Sequence, residues 1–434
     1  MIREKIPIRD ISRVVEDGLC TGCGTCCGVC PVNAIEMTRS KGLLLPMVDS
    51  AKCTGCSLCL RSCPGFSLDF QKLNMETFGK QPENQYLGSL RRCFLGHSND
   101  ARICAVSSSG GVANQLLAYL LKNRLAEAAV VARATEDKPL EPEPFFACTE
   151  DEVLSASRSK YCPVAIGQSL QKMRISDGRF AVVGLPCHIH GIRKAEVANP
   201  SLKRKVVMHI GLFCGHTVSF EGTDFVLERL GVRTADVKGF YYRGNSWPDS
   251  LRVETKDNRT IRLRFNRSWN AYWNVFSPFF FTPLRCLMCP DEFNELADIS
   301  LGDAWLSELK GHDKGESLII ARTEVGEELL RNAQRDGFLF IEGISPEKIE
   351  ESQAFNVGFK KKHYATRLRF LHGIGQNVPL VRPLPSPGSL SALIGAVVAY
   401  VSCRASSNRR LRSFLVRVPL PVFRLYFALF RCVF

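Results

Sequence analysis

At 434 residues, with 45% hydrophobic and 23% charged side chains, the chain has the make-up of a folded protein of two or three domains rather than a disordered or fibrous one. Its formal net charge of +14 would suggest nucleic acid if it were spread over the fold, but no acidic residue follows Glu351, whereas thirteen Lys and Arg stand between Lys360 and Arg431. The body is therefore nearly neutral, nucleic acid is not an expected partner, and the basic end points to an anionic membrane surface or an acidic partner.

The opening MIREKIPIRD has no apolar stretch that would serve as a secretory signal. With nineteen cysteines in the chain, this favours reduced thiols and a cytoplasmic setting, with peripheral contact at the inner face of the membrane left open by the basic end. CTGCGTCCGVCP at 20–31 returns as CTGCSLCLRSCP at 53–64, an offset of 33 residues, as expected of a small pseudo-twofold domain. The pattern C-x₂-C-x₂-C-x₃-C-P is the bacterial [4Fe–4S] spacing, in which the fourth cysteine reaches the other cluster. Cys20, Cys23, Cys26 and Cys63 are thus expected on one cluster, and Cys53, Cys56, Cys59 and Cys30 on a second. Gly22 and Gly55 keep the two loops small. Structural zinc takes the same donors, but two complete copies closed by Cys-Pro favour iron. Cys27 falls outside the spacing and reads as a bystander. A two-cluster ferredoxin domain is expected over 12–72.

Residues 65–90, with scattered Gly, Pro, Asn and Gln, read as a connector. From about residue 91 strands and helices alternate. SSSGGVANQLLAYLLKNR (107–124) carries a helical apolar stripe at Val112, Leu116, Leu117, Leu120 and Leu121 behind small residues suited to an N-cap. AEAAVVAR reads as a buried strand, followed by RFAVVG (179–184), KVVMHIGLF (205–213), the pair LRVETK and TIRLRF, ADISLGD (297–303) and SLIIAR (317–322). This body is expected to run to about residue 351. The tail, 352–434, holds the apolar LSALIGAVVAYVSC (390–403), shorter than the ~18 residues of a spanning helix. After it comes an Arg-interleaved segment that Pro419 and Pro421 prevent from forming one helix. An interfacial anchor and a helix packed on the body are both open readings. The fold class expected is α+β: a bacterial-type two-cluster ferredoxin domain, a mixed α/β body and a basic apolar tail.

Four further cysteines stand where strand ends could bring them together: Cys187 in VVGLPCH, Cys214 in GLFCGH, and Cys286 and Cys289 in RCLMC. A third [4Fe–4S] cluster and buried inert thiols are the alternatives. Ser107–Gly111 would present free N–H groups at a helix start, a phosphate cradle or a plain N-cap. His188, His190 and His216 lie near the proposed ligands, as proton relays or as ordinary buried histidines.

In that order behind the ferredoxin module, SSSGGVANQLLAYLL, RSKYCPV, VVGLPCHIHGIRK, GLFCGH, RCLMC and ADISLGDAW resemble the family of coenzyme F420 hydrogenase/dehydrogenase beta subunits, over about residues 12 to 350. The plant hydroxymethyl-chlorophyll reductases are similar in the same segments. The resemblance implies FAD, and so a flavin-binding body made of an N-terminal-like unit at 85–175 and a C-terminal-like unit at 176–351, and it favours the third cluster. Carried over by motif, it sets Ser108, Ser109, Gly110 and Gly111 against the FAD, with Lys160, Tyr161 and Gly184 near it. It also draws in Asp298, Gly302 and Asp303 of ADISLGD, for which a structural turn is the alternative. Cys162 and Pro163 after Tyr161, and the basic tail, depart from the family pattern.

Clusters pass single electrons while hydride carriers change by two, and a flavin does both. The expected activity is therefore an FAD- and [4Fe–4S]-dependent oxidoreductase. It would link a ferredoxin or other redox protein to a small-molecule hydride carrier such as coenzyme F420, or to another reducible substrate. Its rivals are a non-catalytic electron-delivery subunit docked at a membrane complex, and a ferredoxin-dependent reductase of a lipid-linked or tetrapyrrole substrate.

Overall fold

The cysteine repeats build the first unit. Each contributes a single helical turn, Thr25–Val29 and Leu58–Arg61. Between them β1 (Ile35–Ser40) and β2 (Leu43–Val48) close an antiparallel hairpin, and after the second turn comes β3 (Ser67–Asp69). The computed structural model describes residues 10–243, 247, 250–263, 271–309, 315–382 and 388–431. Arg264 and Phe265 of the expected hairpin, and the last three residues of the tail, lie outside the described residues.

The stretch read as a connector is not structureless. The Asp69 carboxylate accepts from Lys72 N at 3.0 Å and caps a helix, Phe70–Phe78, that buries Phe70 and Leu73. Its capping residue and two anchoring apolar side chains suffice for two turns, and the flanking polar residues masked them.

Apolar runs then lay down one eight-stranded sheet. Its strands are β4 (Arg92–Ser98), β5 (Ala128–Arg133), β6 (Glu143–Ala147), β7 (Phe180–Gly184), β8 (Val206–Leu212), β12 (Ile299–Asp303), β13 (Ser317–Ala321) and β14 (Leu339–Gly343). A separate three-stranded sheet, β9 (Val237–Tyr241), β10 (Leu251–Thr255) and β11 (Thr260–Leu263), is inserted between β8 and β12. The order of the large sheet is β14-β4-β13-β12-β8-β7-β5-β6. Its centre, β12-β8-β7-β5, is parallel, which explains the unbroken apolar runs of AVV, IGL and ISL: both faces are covered. Helix Val112–Lys122 covers one face through the predicted stripe, with Leu116 and Leu117 buried. The sheet runs across the 175/176 junction, since β4 from the first unit pairs with β13 and β14 from the second.

The ferredoxin unit is pressed onto this body. A methyl group on Gly28 would meet Gly167 O at 2.1 Å, and one on Gly191 would meet Thr25 Oγ1 at 2.2 Å. The absent Cβ atoms let the cysteine-bearing turn sit against helix Pro186–Ala198 and the residues before it. The tail returns to the same unit, where β15 (Leu380–Arg382) pairs parallel with β3. Its last helices, Leu390–Ser407, Arg409–Arg417 and Leu420–Arg431, pack on the body, and the latter two bend by 109° at Val418–Pro419.

Candidate functional site

β12, β8 and β7 run the same way, so their carboxyl ends share one edge, the place where open α/β sheets bind ligands. Cys187 follows β7, Cys214 follows β8, and Asp303 closes β12. β4 is parallel to β12 with β13 between them, so Ser98 and the loop to Gly111 reach the same edge, where Ser98 N donates to Gly110 O at 2.7 Å.

The four core cysteines converge there. Burial raises the Cys187 thiol well above its ordinary value, and the nearby sulfurs of Cys23, Cys214, Cys286 and Cys289 raise it further. Such thiols are held as thiolates only by positive charge among them. Lys360 and Arg285 both act on Cys286 in this way. Lys360, buried, donates from Nζ to Cys214 O at 2.5 Å and to Asp291 O at 2.7 Å. Against burial, which lowers it, the sulfurs of Cys289 and Cys214 hold its ammonium above the usual lysine range. Among the described residues no three His, Cys, Asp or Glu close on a single-ion position.

The ferredoxin cysteines fall into two groups. Burial pushes Cys20 up to about 12, with Cys23 and Cys63 adding to it. Cys26 is raised well above its ordinary value by burial, then by Cys23, Cys20 and Cys63. Cys30, Cys53, Cys56 and Cys59 instead line a cavity of about 340 Å³, mouth included, with Cys56 exposed. The body holds both sets from behind: Lys194 donates to Cys63 O at 2.7 Å, Arg174 to Cys30 O at 2.8 Å, and Gly167 N to Cys23 O at 2.7 Å. The three groups lie in series, the Cys56 set outermost, the Cys20 set next, and the Cys187 set beside Cys23.

A second constellation stands further along the edge. Arg243, buried, forms a hydrogen-bonded ion pair with Asp303 and donates to Ser108 O. Ser159 N donates to Ser108 Oγ at 3.0 Å, and Ser109 Oγ to Glu316 O at 2.7 Å. Tyr161 lies beside Arg243 and Asp303, its phenol raised by burial first. Lys160 donates to Ala156 O and to Ser157 O, the latter at 2.6 Å, and burial holds its ammonium down to about 7. Helix Val112–Lys122 begins here at Gly111, φ +76°, with no side-chain cap. The Arg243 guanidinium, a lysine poised near neutrality and an uncapped helix start of eleven residues suit an anionic group such as a pyrophosphate.

Gly184 and Gly302 serve packing between the sites. A methyl group on Gly302 would meet the Phe213 ring at 2.0 Å, so Gly302 lets the residue before Cys214 cross β12. Gly184 O accepts from Asn294 Nδ2 at 2.8 Å, and its missing Cβ makes room for His188. Asp298 lies apart from Asp303, at the other end of β12. Its carboxylate accepts from Arg193 at 3.0 Å and from His209 N and Nδ1 at 2.8 Å each, and Arg193 and His209 hold it well below the usual carboxylate range despite burial. His188 is satisfied by backbone on both ring nitrogens, Leu185 N and Val164 O, and His190 binds Asp291 at 2.7 Å. Sequence reasoning missed Arg243 and Lys360. Neither stands in a spacing pattern, and only their place next to a strand end or a cysteine loop marks them.

Comparison with known proteins gives three matches along the chain. The family model for the C terminus of the coenzyme F420 hydrogenase/dehydrogenase beta subunit matches residues 177–347, the model for its N-terminal part matches 93–171, and a 4Fe-4S dicluster domain matches 19–93. Coenzyme F420 hydrogenase subunit beta of Methanosarcina barkeri is 27% identical over 291 residues, covering 62% of this chain and 92% of the relative. Coenzyme F420-dependent sulfite reductase of Methanocaldococcus jannaschii is 25% identical, with 82% of this chain matching 52% of that protein. The F420-dependent formate dehydrogenase subunit beta of the same organism is 25% identical, covering 62% and 68%. A chain of the F420-reducing [NiFe] hydrogenase complex from M. barkeri superposes with a TM-score of 0.54 at 24% identity, over 70% of this chain and 99% of that one, a likeness of fold.

Proposed function

The chain belongs to the family of coenzyme F420 hydrogenase/dehydrogenase beta subunits and carries a 4Fe-4S dicluster domain, and from this premise we propose that it is an iron–sulfur flavoprotein oxidoreductase. It exchanges electrons with a ferredoxin-type or other redox partner at the exposed Cys56 end. At the other end it serves a two-electron substrate such as coenzyme F420. The observation that carries this reading is the series of cysteine sets ending beside the Ser108–Arg243–Asp303 constellation on one sheet edge.

Iron–sulfur clusters supply single-electron steps, and a flavin supplies the junction to a two-electron carrier. The chain's own part is positional and electrostatic. Cys187, Cys214, Cys286 and Cys289 would hold the third cluster, with Lys360 offsetting their charge. Arg243, Lys160, Ser108, Ser109, Gly110 and the helix start at Gly111 would hold the anionic part of FAD, with Asp303 fixing the Arg243 guanidinium.

Oxygen-free purification with iron, sulfide and flavin counts tests this, followed by turnover with F420, nicotinamides and reduced ferredoxin. Three cubanes and one flavin are expected. Iron and sulfide without flavin would leave a relay subunit and end the enzyme reading. Arg243→Gln should keep its iron and lose flavin affinity about a hundredfold, the size of a buried charge-assisted contact.

A further inference from the structure

The helix Leu390–Ser407 is packed the wrong way round for a soluble protein. Its inner face is small or polar: Ala392, Ala396, Ala399, Ser402, Cys403 and Ser406 are buried. Its outer face carries the large aliphatics, Leu390, Leu393, Ile394, Val397 and Val401, at helical spacing, with Leu390 73% and Val401 54% exposed. Leu425 and Leu429 of the last helix are each 62% exposed. Ten of the 21 exposed large apolar side chains among the described residues fall after residue 388, so the exposure is concentrated and not the ordinary scatter of a surface.

We propose that this face docks in the headgroup region of an anionic phospholipid bilayer. Charge chooses the occupant. Arg404, Arg409, Arg410 and Arg417 are exposed around the stripe, and no carboxylate occurs after Glu351. Arg412 is paired with Glu221 of the body at 2.6 Å, and the aliphatic residues on one side with exposed arginines at the margin form the pattern of an interfacial helix. A groove for a soluble protein would be expected to offer polar partners along the contact as well. The helix lies on the bilayer and does not cross it, because its inner face is hydrogen-bonded to the body: Phe281 N donates to Ser406 Oγ at 2.6 Å, and Cys403 Sγ to Thr282 O at 3.0 Å. Those bonds join it to the segment that leads into Cys286, so docking brings the core cysteine set to the membrane surface.

Co-flotation of the full chain with vesicles tests the proposal, using phosphatidylcholine alone against phosphatidylcholine with a quarter phosphatidylglycerol. The protein should float with the anionic vesicles only and be released at high ionic strength. Ile394→Glu with Val401→Glu, both on the exposed face, should lower the bound fraction about tenfold or more. Arg409→Gln with Arg410→Gln and Arg417→Gln should erase the lipid preference. Iron content and visible absorption, unchanged in all variants, report an intact fold and keep this test separate from the redox reading. The proposal is overturned if the chain stays at the bottom with both vesicles, if it binds both equally, or if the Glu variant binds like the parent. It is also overturned if that variant instead dissolves a self-association of the parent, which would assign the face to a second copy.

Discussion

β12 has an aspartate at either end, and the two stand in different chemistry. Asp298 stands one residue before the strand, tied to Arg193 and His209, while Glu196 accepts from both of those partners, at 3.2 and 2.7 Å. Asp303 closes the strand about 16 Å away at ~3.3 Å per residue, paired with Arg243 next to the Ser108 loop. A ring with a carboxylate on each nitrogen, as in His209, is held as the imidazolium, so the first edge is a closed ionic lock. The second edge gathers cysteines, lysines and an uncapped helix, all able to act on something that is not part of the chain. One motif, ADISLGD, thus spans a structural edge and a chemical one.

The sharpest way to break that contrast is at the lock. Asp298→Ala leaves two buried cations, Arg193 and His209, sharing the single carboxylate of Glu196, a loss of roughly 3–5 kcal/mol. We expect the variant to be recovered insoluble or to melt well below the parent. A soluble Asp298→Ala protein with full iron but altered turnover would move Asp298 to the chemical edge. Next in size, Cys286→Ser with Cys289→Ser should remove about a third of the iron, one cubane of three, and leave the ferredoxin pair spectroscopically intact. Unchanged iron would make these two thiols inert core.

How much of this could be read from the sequence follows from how local each feature is. The ferredoxin motif was legible because its eight cysteines lie within 44 residues at fixed steps, and the body cysteines only as candidates, since just Cys286 and Cys289 are neighbours in sequence. The strands showed because two covered faces demand unbroken apolar runs, as in FAVVG and SLIIA. What stayed hidden depends on long-range placement. Arg243 meets Ser108 across 135 residues and Lys360 meets Cys214 across 146, with no spacing to betray either. The apolar content of 390–403 was visible, but which face turns outward depends on what the body offers for packing. Asp298 and Asp303 looked equivalent because sequence shows a strand's residues without showing its two edges.

A smaller effect sharpens the chemical edge further. Lys360→Met keeps the volume and removes the ammonium beside Cys214, Cys286 and Cys289. Reduction adds negative charge, so losing a nearby cation should lower the midpoint potential of that cluster. A unit charge at an effective dielectric near 20 is worth about 3 kcal/mol, or on the order of 100 mV for a one-electron couple at about 59 mV per tenfold. A redox titration followed by electron paramagnetic resonance reads it, and an unmoved potential with full iron would make Lys360 a purely structural bracket.

The smallest expected effect belongs to Lys160, whose ammonium burial holds down to about 7. Below that pH the folded and unfolded chains both carry the proton, and the full cost of burying the charge weighs on the fold. Between about 7 and the ordinary ~10.4 the unfolded chain keeps a proton that the folded chain has released, so stability rises with pH through that window. Solvent reaches part of this side chain, which reduces the gain to about 1 kcal/mol, a melting shift of about 2 °C or less for a chain of this length. Oxygen-free melts at pH of about 6.5, 8 and 9 should show the parent gaining relative to Lys160→Met as pH rises. Because the comparison is a difference between two chains, titrations shared by both cancel, and a flat difference would mean that Lys160 keeps its proton throughout and stands at the chemical edge as a permanent cation.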